Sequence, residues 1–284
     1  MITIELLDSR REEEYEKFLS IDERTLFNSS LKFRELMRRV TGAEDCYFLA
    51  IENGEIVGTL PAFLKTNEKH GNVLNSMPWY GSNPGITTNP VSDSRLEIKK
   101  KLLVAFNEFA IEKKVVSSTI ISRPFEPDLD IYWKYTNYTY LDSRIGMMTP
   151  LPQYSINIDF DIMDMVHSKT RNLIRKALKQ DISFYDNNSD DTFRFLVDTH
   201  TKNMNAIGAP PKGEDLFNEV RNIFDYGKEY RIYVANLNGT KIAALLLKYF
   251  GKVVDYFTPA IVEQYRSYQP LNLLIFYAMK DASK

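Results

Sequence analysis

The sequence predicts a mixed α/β protein built from two tandem copies of one structural unit. Asn-Gly pairs at 53–54 and 238–239 each separate two runs of alternating apolar residues. Such a pair between apolar runs is typical of a type I′ hairpin turn, because both positions tolerate a positive φ. The order of elements also indicates a duplication, because each hairpin follows two predicted helices and precedes a strand and a helix.

The elements of the first copy follow from the spacing of its apolar residues. In chain order they are strand 2–6, two helices of which the second ends near Gly42, strands 46–51, 56–64 and 73–76, helix 98–112, strand 115–122, a short helix around 129–135, and strands near 138–141 and 154–158. The β-branched run at 115–122 predicts a buried strand beside the others, and the helix that runs directly into it indicates a crossover unit.

The second copy repeats this order. Its predicted elements are helices 192–204 and 216–226, strands 231–237, 241–250 and 252–258, and helix 271–282. An offset of 185 residues places Gly54 on Gly239, and Leu60 on Leu245. We therefore predict domains at 1–160 and 161–284, with the second copy incomplete by about 60 residues at its C-terminal end.

Composition excludes several classes of function. The 284 residues are 44% hydrophobic and 26% charged with a net charge of −2, which predicts a globular protein without a general affinity for DNA. The single cysteine excludes a disulfide framework, and the three histidines lack metal-ligand spacing, so no metal site is expected. We interpret the histidines as surface or capping residues. No signal peptide or membrane-spanning segment is expected, and the predicted compartment is the cytoplasm.

A basic amphipathic segment at 169–179 carries the clearest ligand signal. On a helical wheel Lys169, Arg171 and Arg175 lie opposite an apolar stripe. Like charges four residues apart repel one another unless an anion compensates, and the arginine fork suits phosphate. The segment therefore predicts binding of a phosphate-bearing ligand, and the alternative is a solvated helix face.

Three loops are further candidates for binding. The loop at 77–85 presents Trp79, Tyr80 and Gly81 between a strand and a helix, where ligands of α/β sheets bind. The segment at 203–212, with Asn205 and Gly208, joins two helices of the second copy. Either loop could instead have only a structural role.

The third loop, at 264–270, precedes a predicted helix, whose N-terminus favours an anion. Its donor-binding candidates are Gln264, Tyr265, Arg266 and Gln269. The loop contains no glycine, although close approach of a backbone to a pyrophosphate usually needs residues without Cβ.

Together these segments resemble the FemAB-like branch of the GNAT acyltransferase superfamily. The resemblance is in both hairpins, in the Pro78-Trp-Tyr-Gly81 loop, in the Arg-Asn-x-x-Arg-Lys-Ala helix from Arg171, and in the stretch from Asn205 to Phe217. It implies a duplicated GNAT fold whose second copy stops before the family's C-terminal segment.

The resemblance also implies an activity, namely transfer of an acyl or aminoacyl group to an amine. The donor would be aminoacyl-tRNA or acyl-CoA, with no tightly bound cofactor. The acceptor would be a small-molecule or lipid-linked amine such as a cell-envelope precursor, which allows contact with tRNA and with a membrane surface. The glycine-poor loop at 264–270 departs from the coenzyme A motif of ordinary GNAT enzymes and so argues against coenzyme A.

Other points stay open on the sequence alone. Amine attack on an ester needs no Ser-His-Asp set, and none is found. The sequence does not single out a base, and Asp255 and Tyr256 on the strand at 253–258 are candidates. An acetyl-CoA-dependent N-acetyltransferase acting on a small amine or sugar, and a non-catalytic binding module of the same fold, are the alternatives. The oligomeric state is not predicted.

Overall fold

A computed structural model describes residues 1–76, 84–143, 145–152 and 161–284. The chain divides into two compact units. The first comprises Met1–Gly146 with Phe250–Val253, and the second comprises Met147–Tyr249 with Val254–Lys284. The predicted boundary between residues 160 and 161 stays a prediction, because residue 160 lies outside the described part.

The first unit places helices against two four-stranded sheets. Its elements are β1 (Ile2–Leu6), α1 (Glu12–Leu19), α2 (Leu31–Thr41), β2 (Glu44–Asp45), β3 (Phe48–Glu52), β4 (Glu55–Leu60), β5 (Phe63–Lys65), β6 (Asn72–Asn75), β7 (Thr87–Thr88), α3 (Arg95–Glu112), β8 (Val115–Thr119) and α4 (Asp130–Thr136). The strand orders are β1-β3-β4-β7 and β2-β5-β6-β8.

The second unit has one four-stranded sheet of order β12-β11-β10-β9. Its elements are α5 (Ile162–Met165), α6 (Ser168–Leu178), β9 (Ile182–Asp186), α7 (Asp190–Ala206), α8 (Glu214–Ile223), β10 (Tyr230–Leu237), β11 (Thr240–Phe250), β12 (Val253–Ile261) and α9 (Pro270–Ala282). A 3-10 segment, Glu263–Tyr268, links β12 to α9.

The two predicted hairpins are present and share their turn geometry. In the first, Asn53 and Gly54 have φ values of 54° and 87°, and in the second Asn238 and Gly239 have 50° and 81°. A positive φ at both central positions defines the type I′ turn, whose twist suits the flanking strands. The Asn-Gly prediction is therefore confirmed in both units.

An irregularity in register shows that the hairpins match beyond their turns. The β3–β4 pairing shifts register between Ala50 and Ile51. The β10–β11 pairing shifts between Ala235 and Asn236, the positions related by the same 185-residue offset. In each unit an additional strand, β1 or β9, pairs antiparallel with the first hairpin strand. A shared bulge at equivalent positions supports internal duplication, because such bulges are specific local features.

The second hairpin strand differs between the units. In the second unit β11 runs unbroken for 11 residues. In the first unit the corresponding stretch is divided into β4 and β5 around Pro61. Proline has no N–H to donate to a sheet ladder, which explains why the strand is interrupted there.

The predicted crossover is confirmed in the first unit. Strands β6 and β8 pair in parallel and are joined through α3. The close packing of α3 against β4 requires Gly58, because a Cβ there would lie 2.4 Å from Cγ2 of Ile98. Buried side chains of β3, β4 and α3 form one apolar cluster around this contact.

Two expectations about strands were wrong, and one strand was not predicted. Strand β8 is mostly exposed rather than buried, because it lies at the edge of its sheet. The segment 138–141 is not a strand, and Tyr140 and Leu141 are exposed there without a pairing partner among the described residues. The sequence interpretation omitted β9, and the strand predicted at 154–158 lies outside the described residues.

Helix lengths do not provide a transmembrane segment. Within the described ranges, no helix is both long enough and apolar enough to cross a bilayer.

Candidate functional site

A cavity lies where β12 leads into α9 in the second unit. It has a volume of about 280 Å³, and the residues that line it are Ile261, Arg266, Gln269, Leu271 and Asn272. The first turn of α9 exposes N–H groups that lack intrahelical acceptors, and the helix dipole is positive at this end. Arg266, half exposed, adds a formal charge to the same wall. The cavity therefore offers a seat for an anion.

Charge at this seat is moderated by one carboxylate. The Arg266 guanidinium donates from Nε to Oε2 of Glu263, which lies one turn earlier on the exposed surface. This contact occupies Nε and leaves the two terminal nitrogens of the fork for a ligand.

The residue before α9 has a left-handed backbone conformation although it is not a glycine. Gln269 adopts φ 62°, a left-handed conformation, immediately before Pro270 begins α9. Its side-chain oxygen accepts a hydrogen bond from Nδ2 of Asn272 at 2.9 Å. A left-handed residue other than glycine, asparagine or aspartate is uncommon and costs roughly 1–2 kcal/mol. Such strain is often found at ligand-binding sites.

Asn203 of α7 fixes the end of β12 beside the cavity. Its Nδ2 donates to the Ile261 carbonyl at 2.8 Å, and its Oδ1 accepts from the Ile261 N–H at 2.9 Å. The amide thus satisfies both backbone groups of one strand residue, as a neighbouring strand would. It holds α7 and the cavity wall in one arrangement.

The loop between α7 and α8 is held against the middle of β12. The backbone N–H of Lys212 donates to Nε2 of His200 at 3.2 Å, so the His200 Nε2 carries no proton. The Lys212 Nζ donates to the Phe257 carbonyl and, at 3.0 Å, to the Thr258 hydroxyl. It also lies 4.2 Å from the centroid of the Phe257 ring.

Burial shifts the titration of this cluster. Desolvation lowers the pKa of Lys212 to about 8, although the charge of Asp255 opposes this shift. Desolvation also raises the pKa of Asp255, against the charges of Lys212 and Lys248. The pKa of His200 is lowered, first by desolvation and then by the charge of Lys212. A lysine that can lose its proton near neutral pH is chemically competent as a base.

The basic helix is formed as predicted. Helix α6 covers Ser168–Leu178, and the His167 side chain caps it by accepting from the Lys169 N–H. Its apolar face, with Ile174 buried, packs beside Phe276 of α9. On the other face Arg171 and Arg175 form no ion pair with any described residue. No carboxylate of the described residues compensates Arg171 and Arg175, and phosphate binding by this helix stays a prediction.

The structure brings some of the predicted site residues together and leaves others apart. Arg266 and Gln269 line the cavity, whereas Gln264 is exposed and Tyr265 packs against the apolar core of the sheet. Asp255 lies near Lys212.

The remaining candidate site residues that the structure describes do not line the cavity or contact Lys212. Tyr256 is 48% exposed, and Asn205 and Gly208 are exposed at the end of α7. Trp79, Tyr80 and Gly81 lie outside the described residues.

Two residues of this cluster were missed from the sequence. His200 is buried and hydrogen-bonded to the loop, so the interpretation of it as a surface or capping residue was wrong. Lys212 was inside a singled-out segment, but its contacts are with residues 45 and 46 positions later. No local pattern reports such a contact. The only available signal was a lysine next to an apolar Ala-Pro-Pro stretch.

Comparisons with known proteins agree with this architecture. Residues 166–284 match the family described as the acetyltransferase (GNAT) domain. The structure of FemX is similar over 99% of this chain and 85% of its own, with a TM-score of 0.72 and 12% identity. A tandem GNAT protein from the clavulanic acid biosynthesis pathway is similar over 99% of this chain and 87% of its own, with a TM-score of 0.53 and 10% identity. No curated protein sequence matches.

Proposed function

Because the chain is similar to FemX and to a tandem GNAT protein over 99% of its length, and residues 166–284 match the GNAT acetyltransferase domain, we propose that the protein is a FemAB-like acyltransferase. It moves an acyl or aminoacyl group from an activated donor to a primary amine. The observation that carries this proposal is the cavity at the start of α9, with Arg266 and Gln269 in its wall.

The donor belongs at this cavity for a chemical reason. Acyl-CoA and aminoacyl-tRNA both carry phosphate groups on the part of the molecule that bears the activated acyl group. The Arg266 fork and the open N–H groups of α9 match an anionic oxygen in charge and in hydrogen-bond donors. The shared feature of the two donors is therefore what the cavity recognises.

The acceptor side is supported by the exposed face of α6. Arg171 and Arg175 lie one turn apart with Lys169 preceding them, and a phosphate between the side chains would relieve their repulsion. A phosphate-bearing or lipid-linked amine, or the backbone of a tRNA, fits this chemistry. We place the protein in the cytoplasm, where both donor classes are made.

The reaction asks little of the protein beyond positioning. An amine attacks an ester or thioester carbonyl once it is unprotonated and correctly oriented, and holding the two reactants together supplies much of the rate. Backbone N–H groups can stabilise the negative oxygen that develops. A covalent nucleophile is not required.

Calorimetry with two donors tests the proposal. We expect the chain to bind acetyl-CoA or alanyl-tRNA, and Arg266→Ala to weaken that binding because it removes a charge-assisted contact to phosphate. The matched control is Arg194→Ala, which removes an exposed arginine of α7 away from the cavity.

The outcomes separate the alternatives. Binding of acetyl-CoA alone assigns the ordinary acetyltransferase donor, and binding of alanyl-tRNA alone assigns the aminoacyl donor. Binding of neither donor contradicts the proposal and leaves a non-catalytic module with the same fold.

A second titration addresses α6. Arg171→Ala with Arg175→Ala should weaken binding of a phosphate-bearing probe such as uridine diphosphate or tRNA, while the neighbouring exposed Asn172→Ala should not. Unchanged affinity for both probes would remove the helix from the site.

A further inference from the structure

The ammonium group of Lys212 has two hydrogen-bond acceptors and a third N–H without one, and the Phe257 ring lies 4.2 Å from it. Its Nζ donates to the Phe257 carbonyl and to the Thr258 hydroxyl. A lysine ammonium has three N–H donors, so one tetrahedral position remains. Lys212 forms no ion pair with a described residue that would occupy this position. In the neutral amine the same position holds the lone pair.

The support of this side chain is rigid. Thr258 and His200 are almost fully buried, at 0% and 4% exposure, and they hold the Nζ and the backbone of Lys212 respectively. The amide of Asn203 fixes the same strand three residues further on, at Ile261. A group held by buried partners keeps its lone pair in one orientation, which is what proton transfer needs.

The surroundings hold few other charges. The titratable groups that interact with Lys212 are Asp255 on β12 and His200 on α7, and Lys248 on β11 interacts with Asp255. Lys248 is 1% exposed and lies over the Phe224 ring. Loss of solvent favours the neutral form of Lys212, and Asp255 favours the charged form.

We propose that Lys212 is the base that accepts a proton from the attacking amine of the acceptor. This inference rests on the proposed transferase function and names the residue that the sequence did not single out. Asp255 acts as a positioning residue that attracts the acceptor ammonium toward Lys212.

The acceptor nitrogen loses two protons in the transfer. The neutral Lys212 Nζ takes one proton from the acceptor ammonium, and the freed lone pair forms a C–N bond to the donor carbonyl carbon. The bond from that carbon to the ester oxygen or thioester sulfur breaks with its electron pair. The leaving atom takes the second proton that the nitrogen loses, and Lys212 later releases its proton to solvent.

The positions of base and anion seat constrain the donor. Thr258, which holds Lys212, and Ile261, which lines the cavity, are three residues apart on β12. An extended strand rises about 3.3 Å per residue, so the two lie roughly 10 Å apart. The donor must therefore place its phosphate in the cavity and carry its carbonyl about 10 Å along the strand on an extended arm.

The first test needs no substrate. Competitive labelling with trace acetic anhydride at pH 6–11, read by mass spectrometry, reports when each lysine becomes a reactive amine. We expect Lys212 to be labelled half-maximally near pH 8, below the ordinary lysine value of about 10.4. Lys212 that is unlabelled, or that is labelled half-maximally only near about pH 10.4, overturns the inference even if the protein is a transferase.

The second test uses the protein with acetyl-CoA or alanyl-tRNA as donor and two acceptors, a lysine-containing peptide and hydroxylamine. General base catalysis contributes about 10²–10⁴-fold, so Lys212→Met should lose at least about 100-fold in kcat with the peptide amine. The acidic limb of its kcat/KM profile should disappear. Hydroxylamine is largely unprotonated at neutral pH and should keep most of its rate.

Controls separate a base from a structural clamp. Lys212→Arg keeps a cation and donors for Phe257 and Thr258 but cannot lose a proton, so it should be as slow as Lys212→Met while unfolding at the temperature of the parent. Lys202→Met should leave the profile unchanged. Equal loss with both acceptors, or a preserved acidic limb in Lys212→Arg, would assign Lys212 a structural role. Absence of transfer by the parent protein contradicts the transferase function itself and leaves the labelling result to decide the chemistry of Lys212.

Discussion

The clamp between Asn203 and Ile261 gives a prediction about how the site is held. Asn203→Ala removes two hydrogen bonds, of 2.8 and 2.9 Å. It leaves the backbone N–H and carbonyl of Ile261, which is 9% exposed, without these partners. Each neutral bond contributes about 1 kcal/mol net, and a buried group left without a partner costs about 1–3 kcal/mol. Because water can reach part of this edge, we expect a loss of about 2–4 kcal/mol.

Thermal unfolding measures this loss. In a domain of about 150 residues 1 kcal/mol corresponds to about 2–4 °C in Tm, so Asn203→Ala should lower the Tm of the second unit by roughly 4–16 °C. Asn203→Asp should be no better, because its carboxylate accepts the Ile261 N–H but repels the Ile261 carbonyl oxygen. The matched control is Asn205→Ala, two residues later on the same helix and exposed.

The comparison of these variants is decisive. If Asn203→Ala and Asn205→Ala unfold within about 0.5 kcal/mol of each other, as surface substitutions do, the amide does not hold β12. The reasoning about a fixed cavity wall would then be refuted. Donor affinity should fall together with stability in Asn203→Ala, because Ile261 lines the cavity.

Three further predictions concern stability. Lys99→Met should lower the free energy of unfolding in urea by about 3–5 kcal/mol, because it leaves the carboxylate of Glu126, 4% exposed, buried without its lysine. Adding Glu126→Gln should recover much of this loss, and no recovery would contradict the pairing. Gly239→Ala should cost about 1–2 kcal/mol because φ is 81°, whereas Gly213→Ala, with open space and a negative φ, should cost only tenths. Because the pKa of His200 is lowered in the folded protein, the unfolded chain binds more protons in acid. The free energy of unfolding should therefore fall as pH drops through about 6.5, by at most about 1.4 kcal/mol per pH unit. His200→Gln should make this dependence on pH weaker.

Local signals predicted much of the fold. The Asn-Gly turns were predictable because two adjacent residues determine the turn, and the basic helix because its apolar and charged residues alternate with a helical period. Helix α8 was placed correctly but ends at Ile223, three residues before the predicted end. Pro61 in the sequence also indicates the end of β4, although we predicted one continuous strand over 56–64.

Tertiary placement was not predictable in the same way. Whether the run at 115–119 is buried depends on its position at a sheet edge, and its own residues do not report that position. Two of the candidate donor residues, Arg266 and Gln269, line the cavity before α9, and their role in donor binding stays a prediction. The left-handed Gln269 was not expected, because glycine usually occupies such positions.

The Lys212 cluster shows the limit most clearly. Its members, His200, Lys212 and Asp255, are spread over more than 50 residues, and each one alone has an ordinary structural explanation. Only the folded chain shows that one lysine has two fixed contacts and a desolvated environment. The electrostatic consequence follows from burial, which one sequence does not reveal.

The transfer reaction itself tests the central claim most directly. The purified chain is incubated with acetyl-CoA or alanyl-tRNA and a panel of primary amines, and products are followed by mass spectrometry. We predict an acyl or alanyl adduct on an amine, formed in proportion to enzyme and reduced by Arg266→Ala. Donor binding without any adduct, from either donor and on any amine, would contradict the account of this protein as a transferase.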